Sequence, residues 1–326
     1  MKNYILLYGD KKPEDNICLT NMFEKSKPIH LGWTDFDYNH NMNLIQEEIK
    51  NGVEQIIFAG LEIGWDKMIE AIKKDYPNMI IKVICTTSDS LLYYEYERNN
   101  FFRLLELEKE KKVDGIAFLR KGQYETYKAL GYHCYLLKEN YCLKKKEEFK
   151  QKTENVKDKK INLGIYPLNY TWDKNIFNQL CVGKMLDNSK INYNLLDPRM
   201  KEFLDTMNIE SQESKIQNIE AQEIIKEIVK NDVCISCSFT EYMHPIFFLS
   251  MEMEVPCLIG NNSDLFEEDS VLKSYVVTEA EDNAIINAEK IKKILENKSE
   301  VLEQYKIWKE KYNQEAKSNL EEFLEK

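Results

Sequence analysis

The chain has 326 residues, 43% of them hydrophobic and 11% aromatic, with 45 Lys and Arg against 56 Asp and Glu for a net charge of −11. That length suits two cores of roughly 150 residues each rather than one, and the apolar content excludes global disorder. The acidic balance excludes broad nucleic-acid binding, which needs a basic footprint, and there is no run of about 18 apolar residues to span a membrane.

The N-terminus, MKNYILLYGD, has too short an apolar run for a secretory signal and no small-residue cleavage site, so a cytoplasmic location is expected. From there short apolar runs at 4–8, 28–33, 54–59, 79–85, 114–119 and 133–137 read as strands. Amphipathic stretches separate them. Residues 66–76 place Met68, Ile69 and Ile72 on one helical stripe. Residues 91–112 read as a long charged helix, and 123–130 as a short one closed by Gly131. Alternating strands and helices imply βαβ units and a parallel sheet.

Residues 140–160 break this pattern, with eight lysines against four acids and few apolar side chains. They read as a solvated linker, or as a contact for anionic lipid diluted by its own acids. The alternation then restarts. Strands are expected at 161–166, 190–196, 233–239, 255–260 and 274–279, and helices at 173–186, 221–231 and from Pro245. In 221–231, Ile224, Ile225, Ile228 and Val229 share one face. From 281 the chain reads as helix, interrupted near Asn297. The organisation expected is an N-terminal α/β domain over 1–142, a polar linker over 143–160, a second α/β domain over 161–280, and C-terminal helices over 281–326 that pack back on the first domain. Both domains are expected to be Rossmann-like and to face a cleft.

Familiar phosphate signatures are absent: neither G-x-G-x-x-G nor G-x-x-x-x-G-K-[ST] occurs. Asp35-Phe36-Asp37 spells a metal-binding DxD but fits a solvated turn better. Cys85, Cys234, Cys237 and Cys257 lie in apolar strands. The Cys234 and Cys237 pair would point to opposite faces of its strand, so these read as core thiols rather than metal or redox ligands. No metal site is expected; His244 and Glu241 have no third ligand near them.

Two stretches carry chemistry. In SFTEYMHP, Glu241 stands where a buried strand ends and a helix begins at Pro245, and the first-turn N–H groups of that helix favour an anion. Capping by Thr240 or Glu241 is the simpler alternative. In PLNYTWDKN, Lys174 would sit in the first turn of a helix, where the dipole disfavours a cation unless it reaches an anion. A snorkelling surface lysine is the alternative there.

With these residues the second half resembles the C-terminal domain of GT-B glycosyltransferases, in particular the large retaining, nucleotide-sugar-using group. The shared elements are Lys174-Asn175 early in the first helix, Ser238-Phe-Thr-Glu241 after a buried strand, and Glu254-Val-Pro256 before the next. GIAFLRKGQYETYKALGYHCYLLKEN resembles the last βαβ unit of the acceptor domain. The family's Glu-x7-Glu motif is kept at Glu241, while its second position holds Leu249, and Tyr242, Met243 and His244 replace its glycines. The resemblance implies a metal-independent sugar transfer from a nucleotide-sugar donor to a glycan, lipid-linked or protein acceptor, in surface polysaccharide or glycoconjugate synthesis, with no cofactor beyond the donor. Lys174 and Glu241 would be catalytic. Tyr166, Asn169, Asn175, Thr240, Tyr242, Met243, His244 and Leu249 would surround the donor, with Leu249 on the nucleotide side. A one-residue shift would instead make Leu249 core and give Glu252 the ribose role. Gly9, Asp10, Glu62, Asp66 and Asp89 follow N-domain strands and would face the acceptor. Two other readings stay open: an inactive GT-B protein that supports a partner glycosyltransferase, and a two-lobed sugar-sensing module.

Overall fold

The computed structural model describes residues 3–9, 23, 27–32, 37–138, 160–214, 216, 221–240, 244–262, 265, 266 and 270–325. The linker read at 143–160 lies outside these residues except for Lys160, as do Asp10, Asp35, Phe36, Glu241, Tyr242 and Met243. The chain is mixed α/β with two all-parallel six-stranded sheets. It divides into two compact units, residues 1–141 with 312–326, and residues 142–311.

In the first unit the strands are β1 (Tyr4–Tyr8), β2 (Lys27–His30), β3 (Gln55–Ala59), β4 (Ile80–Cys85), β5 (Gly115–Phe118) and β6 (Cys134–Leu136), in the order β2-β1-β3-β4-β5-β6. Their near-continuous apolar composition is that of strands buried on both faces. One face holds Ile5, Leu7, Ile56, Phe58, Ile81 and Val83 against the helices α1 (Tyr38–Lys50), α2 (Trp65–Asp75) and α3 (Glu95–Lys109). A 3₁₀ turn at Asp89–Tyr93 precedes α3, and α4 (Lys121–Ala129) joins β5 to β6. The stripe of Met68, Ile69 and Ile72 is buried as its spacing predicts. On the other face Tyr4, Leu6, Ile57 and Ile84 meet Phe323 and Leu324 from the end of the chain. Lys82 is fully buried there, donates to the Phe323 carbonyl and lies 4.9 Å from the Tyr135 and Phe323 ring centroids. A cation suits that carbonyl because helix C-termini carry partial negative charge.

The second unit has β7 (Ile161–Ile165), β8 (Ser189–Tyr193), β9 (Ser211–Glu213), β10 (Val233–Ser236), β11 (Cys257–Gly260) and β12 (Val277–Thr278), in the order β12-β11-β10-β7-β8-β9. Its helices are α5 (Ile176–Met185), α6 (Pro198–Thr206), α7 (Ala221–Ile228), α8 (Pro245–Glu252), α9 (Val271–Val276) and α10 (Ala284–Glu296), with α11 (Lys298–Glu325) starting in this unit and ending in the first. The break near Asn297 falls between α10 and α11, where Asn297 caps the former. Leu163, Ile165, Ile191, Val233 and Ile235 pack on α5, α6 and α10. On the opposite face α8 buries Ile246 through Glu252. Phe247 and Phe248 meet Phe266, Tyr305 and Trp308 at centroid distances of 5.6–6.5 Å. A helix buried on every side belongs in a core, and its two polar members are bonded there, Ser250 to Val255 O and Glu252 to Tyr305 and Lys309.

Two expectations need correction. The run SYVVTE at 274–279 is not a strand throughout: Ser270 accepts a bond from Lys273 N and starts α9, and only Val277–Thr278 is extended. The helix expected over 173–186 is split. Trp172–Lys174 is a 3₁₀ turn, and Asn175, left-handed at φ 51°, separates it from α5.

Candidate functional site

The order of the second sheet fixes where a ligand would bind. The chain enters at β7, runs outward to β8 and β9, then returns to β10 on the other side of β7. At such a reversal the loops leaving the two central strands diverge, and the crevice outside their carboxyl ends is left open. A small pocket lies there, with about 20 Å³ of room, lined by Tyr166, Lys174, Gln179, Ser236, Ser238 and Ile246 among others. Tyr166 follows β7, and Ser236 and Ser238 stand at the end of β10. Pro245 and Ile246 open α8 and also line it. The first-turn N–H groups of α8 have no acceptor within the helix.

Hydrogen bonds knit the loops around this pocket together. Asn175 Nδ2 donates to Cys237 O at 3.1 Å and Glu281 O at 2.8 Å. Gln179 Nε2 donates to Lys174 O at 2.7 Å, and its Oε1 accepts from Cys237 N at 3.2 Å. Asp173 is 2% exposed. Its carbonyl accepts from Phe239 N at 2.7 Å and its Oδ2 from the Thr240 hydroxyl at 3.2 Å. The Lys174 ammonium stands 3.7 Å from the same Oδ2. Tyr166 is buried on the pocket floor, where its hydroxyl receives Asn231 Nδ2 at 2.9 Å and donates to Glu227 O at 3.3 Å. Burial pushes that phenol far above its ordinary value, so it acts as a neutral hydrogen-bonding group.

Of the expected donor-side residues, Tyr166 and Lys174 line the pocket. Asn175 and Thr240 brace its walls through the bonds above rather than facing it. His244 is buried at the start of α8. Asn169 is exposed and accepts from the Thr171 hydroxyl at 2.9 Å. Leu249 is 2% exposed and takes no part in the lining. Glu252, the alternative ribose partner, is also buried: it accepts from Tyr305 OH at 2.7 Å and from the Lys309 ammonium. Both residues are committed to the packing of α8. Asp173, Gln179, Asn231 and Glu281, which hold the site together, were not among the expected residues.

The first sheet reverses in the same way between β1 and β3. Gly9 is buried there, with room for no side chain: a Cβ would meet Glu62 Cγ at 2.7 Å. Glu62 Oε2 accepts from Tyr96 OH at 2.5 Å. Asp66 is engaged by Arg103 at 3.3 Å. Asp89 is exposed, and its Oδ1 accepts from Gln123 Nε2 at 3.1 Å and Tyr127 OH at 3.3 Å. Among the described residues no group of three or more His, Cys, Asp or Glu side chains comes together in a form that would hold a metal. The buried thiols of Cys234, Cys237 and Cys257 are all pushed upward by burial and stay protonated at neutral pH. Among the described residues no helix is long and apolar enough to cross a membrane.

No protein-family model and no curated relative matches the sequence. Solved structures do match the fold. Anabaena HepE in complex with UDP and glucose is similar at 10% identity and a TM-score of 0.68, with 98% of each chain covered. A UDP-forming α,α-trehalose-phosphate synthase from Burkholderia xenovorans is similar at 8% identity and a TM-score of 0.65, over 99% of this chain and 98% of that one. Sucrose-phosphate synthase from Thermosynechococcus elongatus is similar at 11% identity and a TM-score of 0.62, over 98% and 94%. At such identities the likeness establishes the fold, which is the two-Rossmann GT-B architecture.

Proposed function

We propose that the chain is a glycosyltransferase that takes a nucleotide-sugar donor, with the donor's diphosphate held at the β7–β10 crevice. The observation that carries this reading is Lys174 in the wall of a pocket that also includes the first turn of α8. A cation and a helix N-terminus facing one space select an anion. Structures of the same fold are described with UDP and with UDP-linked sugar analogues.

In the proposed reaction the bond from the sugar's anomeric carbon to the diphosphate oxygen breaks, and its electron pair leaves with the nucleoside diphosphate. The acceptor oxygen bonds to that carbon and gives up its proton, which passes to the departing diphosphate oxygen or on to water. Negative charge grows on the departing diphosphate, where Lys174 and the α8 amides stabilise it without reorganising. Glu241 lies outside the described residues; the resemblance gives it the hydroxyls of the transferred sugar. The reading draws on no cofactor besides the donor. A glycan, lipid-linked or protein acceptor fits the same chemistry.

A second reading, a non-transferring member of the fold that supports a partner enzyme, is favoured by one observation. Neither Leu249 nor Glu252 offers the crevice a carboxylate for ribose. Calorimetry with UDP tests the first step of both. Lys174→Ala is expected to weaken UDP binding by tenfold or more, about 1.4 kcal/mol or above, while the wild type turns over UDP-sugar in the presence of glycan acceptors. Unchanged binding in Lys174→Ala overturns the site. Binding without turnover over a panel of UDP-sugars and acceptors selects the second reading.

A further inference from the structure

Beside the crevice stands a feature that diphosphate binding does not use. Trp172 is 59% exposed and Phe239 is 40% exposed, yet their rings are neighbours, with centroids 6.2 Å apart and planes 32° apart. The two come from different loops, one leaving β7 and the other leaving β10. Their backbones are stitched together, since Phe239 N donates to Asp173 O at 2.7 Å, and the Thr240 hydroxyl donates to Asp173 Oδ2. Asp173 is buried, so this stitch is anchored in the body of the unit. The chain thus fixes two large aromatic side chains side by side and leaves both wet. Isolated exposed aromatics are ordinary, but a braced pair beside a pocket that holds Lys174, Ser236 and Ser238 has the form of a recognition surface.

We propose that Trp172 and Phe239 form a stacking platform for a pyranose ring. The platform adjoins the crevice on both sides: Trp172 is two residues from Lys174, and Phe239 is one residue from Ser238, both of which line the pocket. In a nucleoside diphosphate sugar the sugar is bonded directly to the terminal phosphate, whereas the base lies beyond a ribose and the other phosphate. With a phosphate at Lys174, the ring within reach of the turn that carries Trp172 is the sugar. A pyranose also presents a C–H face whose polarised hydrogens complement the negative face of an aromatic ring, while its hydroxyls project sideways into water. The location rests on the diphosphate reading; the stacking chemistry does not. Donor sugar and acceptor sugar offer the same face.

Titration with UDP, UDP-glucose, UDP-galactose, UDP-N-acetylglucosamine and maltotriose, followed by tryptophan emission and by calorimetry, tests the platform. Trp33, Trp65 and Trp308 also emit, so the platform's signal is the part of the change that Trp172→Ala removes. Trp172→Ala and Phe239→Ala each remove an exposed side chain, and an unchanged melting temperature checks that the fold is intact. If the platform holds the donor sugar, Trp172→Ala weakens a UDP-sugar about tenfold, about 1.4 kcal/mol, and leaves UDP unchanged. If it holds the acceptor, UDP and all three UDP-sugars bind as before and maltotriose binding is lost. Equal weakening of UDP and UDP-sugar would show a nucleobase site and overturn the proposal. So would the absence of any sugar-dependent change in wild-type binding or emission at millimolar probe. Loss of UDP binding in the wild type with sugar binding retained would sink the diphosphate reading and leave the platform standing.

Discussion

At the scale of single residues, the crevice depends on amides as much as on charges. Asn175 holds a left-handed backbone at φ 51° and spans Cys237 O and Glu281 O with one NH₂ group. Asparagine tolerates that conformation better than other side-chain-bearing residues. Asn175→Ala pays twice, losing two buried hydrogen bonds and straining the backbone, and is expected to cost about 3 kcal/mol. Asn175→Gly relieves the strain alone and is expected to cost about half of that. Urea unfolding of both variants checks the order, and equal losses would mean that the backbone conformation carries no share. Lys174 was picked out as a cation in the first turn of a helix, whereas it closes a 3₁₀ turn ahead of α5 and lines the pocket from there; Tyr166 was named only through the family resemblance. Asp173 was not picked out, though it stands next to Lys174: a buried carboxylate and a solvated one read alike locally. Glu281 was missed because it joins the site through its carbonyl, which carries no side-chain signature.

At the scale of elements, the strands were legible wherever an apolar run was long enough to be buried on both faces, as in YILLY and VCIS. The three-residue strand SQE at 211–213 was not, because an edge strand with exposed side chains has no apolar period. The start of α9 was missed under the β-branched run in SYVVTE, although Leu272 and Val276, four apart and both buried, mark a helical face. Leu249 was placed by counting from Glu241, and counting cannot see that α8 is buried on every side. Strand β7 gives an element-scale prediction. Gly164 sits where a Cβ would meet Asn231 Nδ2, Cys234 Sγ and Tyr166 Cε2, each at 2.8 Å. Asn231 is tied to Tyr166, Glu227, Ile228 and Asn192, so it cannot move aside cheaply. Gly164→Ala is expected to destabilise the unit by about 1–3 kcal/mol, the usual range for an overpacked core, and to loosen the floor of the crevice. A thermal melt unchanged by the substitution would show that the strand has slack.

At the scale of the whole molecule, the titrating groups of both sheets point one way. In the first unit burial raises Cys85 from 9.0 to about 12, and raises Tyr8 from 10.0 to about 12. In the second it raises Cys234 to about 12, and lifts Cys237 and Cys257 well above their ordinary value. Cys234 and Cys257 are register partners on adjacent strands, so a thiolate on either would lie in the same apolar layer. The sign follows from proton counts. Above pH 9 an unfolded chain releases its thiol protons while the folded chain keeps them, so the unfolded state binds fewer protons and stability falls as pH rises. The contribution is complete below pH 9 and is lost between pH 9 and about 12. Within that window each fully buried thiol removes about 1.4 kcal/mol per pH unit. The molecule already carries −11 at neutrality, so each further negative charge also adds to self-repulsion. Urea midpoints measured with a reductant present should therefore hold steady from pH 7 to 9 and then fall steeply in both units. Replacing Cys85 by Val should lessen the fall, and so should replacing Cys234, with Cys134, Cys237 and Cys257 left to carry the rest. A midpoint that stays level to pH 11 would show that these thiols reach solvent in the folded state, and the two-faced burial of both sheets would then need revision.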